Sequence, residues 1–220
     1  MTMQRRQFLR AGSGLLLLDP WARLHAAWAA GRTLAAPGIQ TLQGEISIDG
    51  QPARIGQLVE TGSTIRTGAN SSAIYVIGDD AYLQRDHSVV SILGEATRRG
   101  LRILNGKLLS VFGKGDKQIL TSTATIGIRG TGCYIESDSN RVYFCLCYGA
   151  ATIQMHRDPT HIEEIKSLHH DHPLYLDPDG QLMMVPATVY NHTDDELYLL
   201  ENLVGRLPAF AGKISGKRRY

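Results

Sequence analysis

KQILTSTATIGIRGTGCYIE, residues 117–136, and RVYFCLCYGAATI, residues 141–153, are the stretches whose reading decides the fold. Both are rich in Ile, Val, Thr and Tyr, side chains that suit a pleated, half-buried surface. Ser137-Asp138-Ser139-Asn140 joins them, a cluster of turn-forming residues. Together they predict two long antiparallel strands.

The same grammar continues toward the N-terminus. GEISIDG (44–50) puts Ile46 and Ile48 on one face and ends in Asp49-Gly50, a tight-hairpin signal. SAIYVIGDD (72–80) sets Ile74 and Val76 on one face, with Tyr75 and Ile77 on the other. HSVVSIL (87–93) follows. LRILNGKLLSVFG (101–113) carries Asn105-Gly106 between two apolar runs and predicts a hairpin there. Gly113-Lys114-Gly115-Asp116 reads as an exposed turn. The sum is roughly eight to ten short strands, spaced as in a β-helix- or sandwich-like domain.

Beyond residue 155 the character changes. HIEEIKSLHHDHP (161–173) reads as a short helix or an irregular loop, and LYLDPDGQLMMV (174–185) as two short strands about Pro178-Asp179-Gly180. NHTDDELYLLENLVGRLPAF (191–210) predicts the one helix, near 194–205. Thr193 and Glu196 have capping-box spacing, Asp194 and Asp195 complement the helix dipole, and Leu197, Leu200 and Val204 share a face. Gly205 and Pro208 end it. Residues 156–212 therefore form a C-terminal extension with one helix, and 213–220 a basic tail.

The first thirty residues read as an address. Arg5-Arg6-Gln7-Phe8-Leu9, a short apolar run to Leu18 and the small-residue stretch at 26–31 resemble a twin-arginine export signal, with Ala27-Trp28-Ala29 as one fit for cleavage. The alternative is a frayed amphipathic N-terminus. Export predicts a periplasmic protein, a soluble mature chain without a membrane span, and the twin-arginine export machinery as a partner. That route carries folded cargo, often with a cofactor loaded. Both tryptophans, Trp21 and Trp28, lie in the leader.

Composition fits this picture. Hydrophobic residues are 43% of the 220 and charged ones 20%, which argues against a disordered chain and against a fully membrane-embedded one. The formal net charge of +2 hides an asymmetry. Arg5, Arg6, Arg10 and Arg23 weight the leader, and Lys213, Lys217, Arg218 and Arg219 the tail, so the body between is acidic. An acidic body is a poor platform for phosphate backbones, and no nucleic-acid partner is expected.

The body, residues 40–155, resembles the FecR-domain family. Gly44-Glu45-Ile46, Gly50-Gln51-Pro52-Ala53, Gly56, Thr61-Gly62, Ile65-Arg66-Thr67-Gly68 and Gly106-Lys107-Leu108 carry the match. Its most specific segment is Thr121 to Thr131, like the family's T-x-x-A-x-x-x-x-R-G-T signature, and Gly149 fits as well. The resemblance implies a mainly β domain of many short strands and makes Cys133 an apolar core residue. The family's iron-citrate regulator also has a sigma-factor-binding segment and a membrane span that have no counterpart here, so transmembrane signalling is not implied. The leader, YFCLCYG and the His-rich segment fit an exported, uncharacterised subgroup.

Cys133, Cys145 and Cys147 are the three cysteines, and six of the eight histidines follow residue 150. On an extended strand Cys145 and Cys147 share a face with Cβ atoms roughly 7 Å apart, too far for a disulfide, which needs about 3.5–4.5 Å. Two thiolates on one Zn²⁺ need sulfurs only about 4 Å apart. The metal ligands expected are Cys145 and Cys147 with His169, His170 or His172, and His192, holding zinc, iron or copper. Asp171, Asp194 or Glu196 would orient an imidazole. A three-residue turn at 138–140 would instead set Cys133 against Cys145 in a cross-strand disulfide. The third reading makes all three inert core residues. His87, His156 and His161 read as surface residues.

The sequence holds no GxSxG, GxxxxGK[ST] or HExxH motif, and Asp79-Asp80, Glu163-Glu164 and Asp194-Asp195 read as solvated turns or a helix start. The expected function is a periplasmic binding, sensing or scaffold module with a Cys/His metal site, its partner an envelope protein or a small ligand. The alternatives are a metal-free interaction module held by a Cys133–Cys145 or Cys133–Cys147 disulfide and, third, a periplasmic redox protein using Cys-x-Cys.

Overall fold

The computed structural model describes residues 34–95, 98–176 and 183–213. The export-signal reading, the turn at 178–180 and the tail beyond Lys213 lie outside them. The described chain is mainly β, with one helix. Fourteen strands form a single sheet: β1 Gly38–Gln43, β2 Ile46–Ile48, β3 Gln51–Pro52, β4 Thr64–Thr67, β5 Ser72–Ile77, β6 Asp80–Gln84, β7 Val89–Glu95, β8 Arg98–Val111, β9 Asp116–Leu120, β10 Ala124–Ser137, β11 Val142–Met155, β12 Ile162–Ser167, β13 Leu174–Leu176 and β14 Met184–Pro186. All pairs among them are antiparallel except β8 with β9, so stacked parallel rungs do not organise this fold.

The Asp49-Gly50 hairpin forms as its residues dictate. Both residues take positive φ, 52° and 79°, and β2 returns as β3. Asn105-Gly106 does not turn. It lies inside β8, which runs unbroken for 14 residues and changes partners there. The half before it pairs with β7 and β9, the half after it with β6 and β10. Gly106 has φ +102°, and the Asn105 amide donates to His87 O at 2.7 Å. The signal marks a bend rather than a chain reversal.

Two further expectations are corrected. Residues 162–167 form β12 on the edge of β11, with alternating burial, and not a helix or loop. Asp80 is buried: its carboxylate holds Lys117 Nζ and the Gly113 N–H, both at 2.8 Å, where a solvated turn was expected. Ten strands, β2 to β11, lie in the stretch where eight to ten were expected, and β13 and β14 are the two short strands expected over 174–185.

The sheet buries both faces around its centre. The main core takes Val142, Phe144 and Leu146 from β11, with Cys133 and Ile135 from β10. On the opposite face a row crosses five strands by direct pairing: Ile74, Leu83, Leu109, Tyr134 and Cys145. All five are fully buried. Helix α1, Asp194–Leu203, packs against β6 and β8 on this face through Leu197, Leu199 and Leu200. Each buried leucine contributes about 1.5–3 kcal/mol. The capping box is formed: Thr193 Oγ1 accepts the Glu196 N–H, and Glu196 accepts the Thr193 N–H at 2.9 Å.

Candidate metal centre

The register of β10 and β11 decides what the cysteines can do. Ser137 pairs with Val142, so the connection holds four residues, 138–141, and Cys133 falls opposite Leu146 while Tyr134 falls opposite Cys145. The expected disulfide assumed a connection one residue shorter. One residue moves every side chain to the other face. Cys133 therefore points into the main core, away from Cys145, and all three cysteines are free thiols. The disulfide-held module is set aside on this geometry.

Cys145 and Cys147 share the helix-side face with help from an irregularity. Gly132 pairs with Tyr148 and Cys133 with Leu146, which leaves Cys147 as the extra residue of a β-bulge. The bulge frees the Cys147 carbonyl from the β10–β11 ladder, and the His170 N–H takes it at 2.9 Å. The loop after β12 is built by Asp171, whose carboxylate accepts the Leu168 N–H at 2.6 Å while its own N–H donates to Ser167 Oγ at 3.0 Å. His170 stands at φ +54° and turns inward. His192 comes from the segment before α1 and follows Asn191, at φ +58°. Such conformations persist where their surroundings over-determine them.

Four ligand atoms, the sulfurs of Cys145 and Cys147 and one ring nitrogen each from His170 and His192, lie within 4.8 Å of one another. His170 Nδ1 is 3.4 Å from Cys145 Sγ and 3.1 Å from His192 Nε2. Around tetrahedral Zn²⁺ neighbouring nitrogen and sulfur ligands stand about 3.3–3.8 Å apart. All four residues are buried.

The outer nitrogens of both rings are committed elsewhere. His192 Nδ1 meets Tyr190 O at 2.7 Å, and a carbonyl only accepts, so the hydrogen is on Nδ1 and Nε2 faces inward. His170 Nε2 meets Asp194 Oδ1 at 3.2 Å, which leaves Nδ1 toward the sulfurs. The same carboxylate holds His169 Nε2 at 2.9 and 3.0 Å. A carboxylate behind an imidazole fixes its tautomer and raises its basicity. The His192 ring also stacks on Tyr134, with centroids 4.7 Å apart.

The Cys147 thiol donates toward Cys145 and, with His170 and His192, outweighs burial, so Cys145 is held far below the usual thiol range. Burial and the neighbouring Cys145 charge push Cys147 well up. Burial opposes a charged His170, yet its bonds to Asp194 and Cys145 raise it to about 9. A thiophilic cation binds the thiolate and takes the place of the proton on the imidazole nitrogen beside it.

The expected site residues divide accordingly. Cys145, Cys147, His170 and His192 converge. His169 sits one step back, on Asp194, and His172 is exposed and outside the group. Of the three carboxylates expected behind the rings, Asp194 takes that place, Asp171 shapes the loop and Glu196 caps the helix and pairs with Arg85 at 2.8 Å. Two parts had no motif to announce them: the bulge at Cys147 and the stack on Tyr134. The second follows only from the four-residue connection, which sets Tyr134 across from Cys145.

No family model and no curated protein matches the chain. Two crystal structures of a candidate anti-sigma factor from Parabacteroides distasonis are similar to it at 10% identity. They cover 64% of this chain and 74% and 73% of their own, with TM-scores of 0.49 and 0.48. Among the described residues, no helix is long and apolar enough to cross a membrane.

Proposed function

We propose that this protein is an exported FecR-like module of the cell envelope, with a binding, sensing or scaffolding role, completed by a structural Cys₂His₂ zinc site. The observation that carries the metal is the convergence of two sulfurs and two imidazole nitrogens within 4.8 Å, each ring fixed from behind by an oxygen acceptor. Two soft and two borderline ligands at tetrahedral spacing suit Zn²⁺ ahead of iron or copper. Four protein ligands close the shell, so the metal would hold structure and leave no open position for substrate. The FecR-like motifs at 40–155 and the twin-arginine pattern at Arg5-Arg6 support the domain and the compartment.

Elemental analysis of the exported protein, purified without chelator, tests the site. About one equivalent of zinc is expected in wild type and in Cys133→Ser, because Cys133 faces the other side of the sheet. Less than about a tenth of an equivalent, under reducing and anaerobic handling, would remove the proposal; iron or copper at one equivalent would keep the site and change the metal. Export is tested separately. Arg5→Lys with Arg6→Lys should leave the chain in the cytoplasmic fraction, and unchanged periplasmic recovery would refute the twin-arginine route.

Cys145, His170 and Asp194 also line up as a nucleophile, a base and an orienting acid, at 3.4 and 3.2 Å. Complete burial of Cys145 weighs against that reading, since a nucleophile must meet its substrate. Alkylation of the native protein purified without chelator distinguishes the two: rapid labelling at Cys145 favours the nucleophile, and protection favours the metal site.

A further inference from the structure

The four ligands come from three separate segments of chain. Cys145 and Cys147 belong to the sheet, His170 to the loop after β12, and His192 to an arm, residues 187–213, that carries α1. This arm is attached differently from the strands. The strands are held by ladders of backbone bonds. The arm meets the sheet mainly through side chains: Arg85 to Glu196 at 2.8 Å, Asn191 to Glu136 at 2.8 Å, and Tyr148 to Glu201 at 2.5 Å. Arg206 then bridges Glu201 and the carbonyl of Asp79, at 2.6 and 2.7 Å. Beneath it lies the apolar row from Ile74 through Leu83 and Leu109 to Tyr134, with α1 laid over β6 and β8.

The arm also supplies Asp194, the carboxylate behind His170. Undocking it would take away His192 and the support of His170 together. The centre is thus complete only while the arm is down.

We infer that metal binding and arm docking are one coupled equilibrium: zinc locks the 187–213 arm over the Ile74–Leu83–Leu109–Tyr134 row, and loss of zinc releases it. The inference rests on the zinc reading above and adds its consequence, a metal-controlled cover on an apolar strip. By linkage the coupling is reciprocal, and whatever loosens the arm weakens zinc by the same factor. Local opening of such a unit, with the strands intact, is the way proteins expose part of a structure without unfolding it.

Hydrogen exchange of the full exported chain tests this, read over α1 and over β4–β7, in the zinc-loaded, chelator-stripped and reloaded states. Stripping should speed exchange in α1 by about tenfold or more, leave β4–β7 unchanged, and reverse on reloading. Leu200→Ala, which loosens α1 away from the ligands, should weaken zinc binding by about tenfold. Equal α1 protection with and without zinc, in protein shown to bind it, overturns the inference and leaves the zinc site standing. So does Leu200→Ala with faster α1 exchange and unaltered zinc affinity. Loss of protection throughout the sheet on stripping also overturns it, because the arm would then not be a separate unit. Failure to bind zinc at all overturns the proposed function instead, which keeps the two failures apart.

Discussion

Cys145→Ser should empty the metal centre, taking zinc from about one equivalent to below a tenth, while His172→Ala leaves it full. The serine oxygen is a poor partner for Zn²⁺ at neutral pH, and its shorter reach cannot recover the sulfur bond length of about 2.3 Å. Three ligands would remain, all buried, with His170 Nδ1 and His192 Nε2 still 3.1 Å apart in the starting geometry. Of the bonds that raise His170, the one to Asp194 would stay and the one to Cys145 would be gone. Stability should fall with the metal. Where free zinc stands a thousandfold above its Kd, binding stabilises the fold by about 4 kcal/mol, and the variant forfeits that increment. Zinc content and the denaturation midpoint with and without chelator check both parts. In wild type the chelator should lower the midpoint; in Cys145→Ser it should change nothing. A variant that still carries stoichiometric zinc, or a wild type whose midpoint ignores the chelator, contradicts the arrangement of ligands.

Much of this site was legible before any fold was known, and the illegible part has a physical reason. That Cys145 and Cys147 share a face was readable from their standing two apart on a strand, although the bulge at Cys147 was not. The capping box announced α1 by spacing. The partner of Cys133 was different. It hung on whether the β10–β11 connection held three residues or four, and turn-forming residues at 137–140 permit either. Register is settled by which face is buried, a property of the assembled sheet rather than of any local stretch. Likewise four neighbouring histidine and aspartate residues, His169 to His172, look alike in sequence. What singles out His170 is a bond from its backbone N–H to a carbonyl that a bulge twenty-three positions earlier set free.

Gly106→Ala should be among the most damaging single substitutions away from the metal, costing about 2–5 kcal/mol, whereas Gly50→Ala costs about 1–2 kcal/mol. Both glycines follow a residue that favours turns, Asn105 and Asp49, and both take positive φ. Their surroundings differ. A Cβ on Gly50 meets nothing within 4 Å. On Gly106 it would fall 2.4 Å from the backbone Cα of Ser88 and 2.2 Å from its Oγ. Ser88 cannot yield cheaply: it is fully buried, its Oγ accepts the Lys107 N–H at 2.8 Å, and its own N–H donates to Thr67 Oγ1 at 3.0 Å. The alanine therefore adds an overpacking cost of about 1–3 kcal/mol to the left-handed cost that Gly50→Ala pays alone. The strand affected is β8, whose second half carries Leu109 beneath α1 and opposite Tyr134. Urea denaturation of the two variants side by side is the check. Equal losses at both positions would mean that Gly106 occupies an open turn, as its sequence suggests, and that the bend in β8 is wrong.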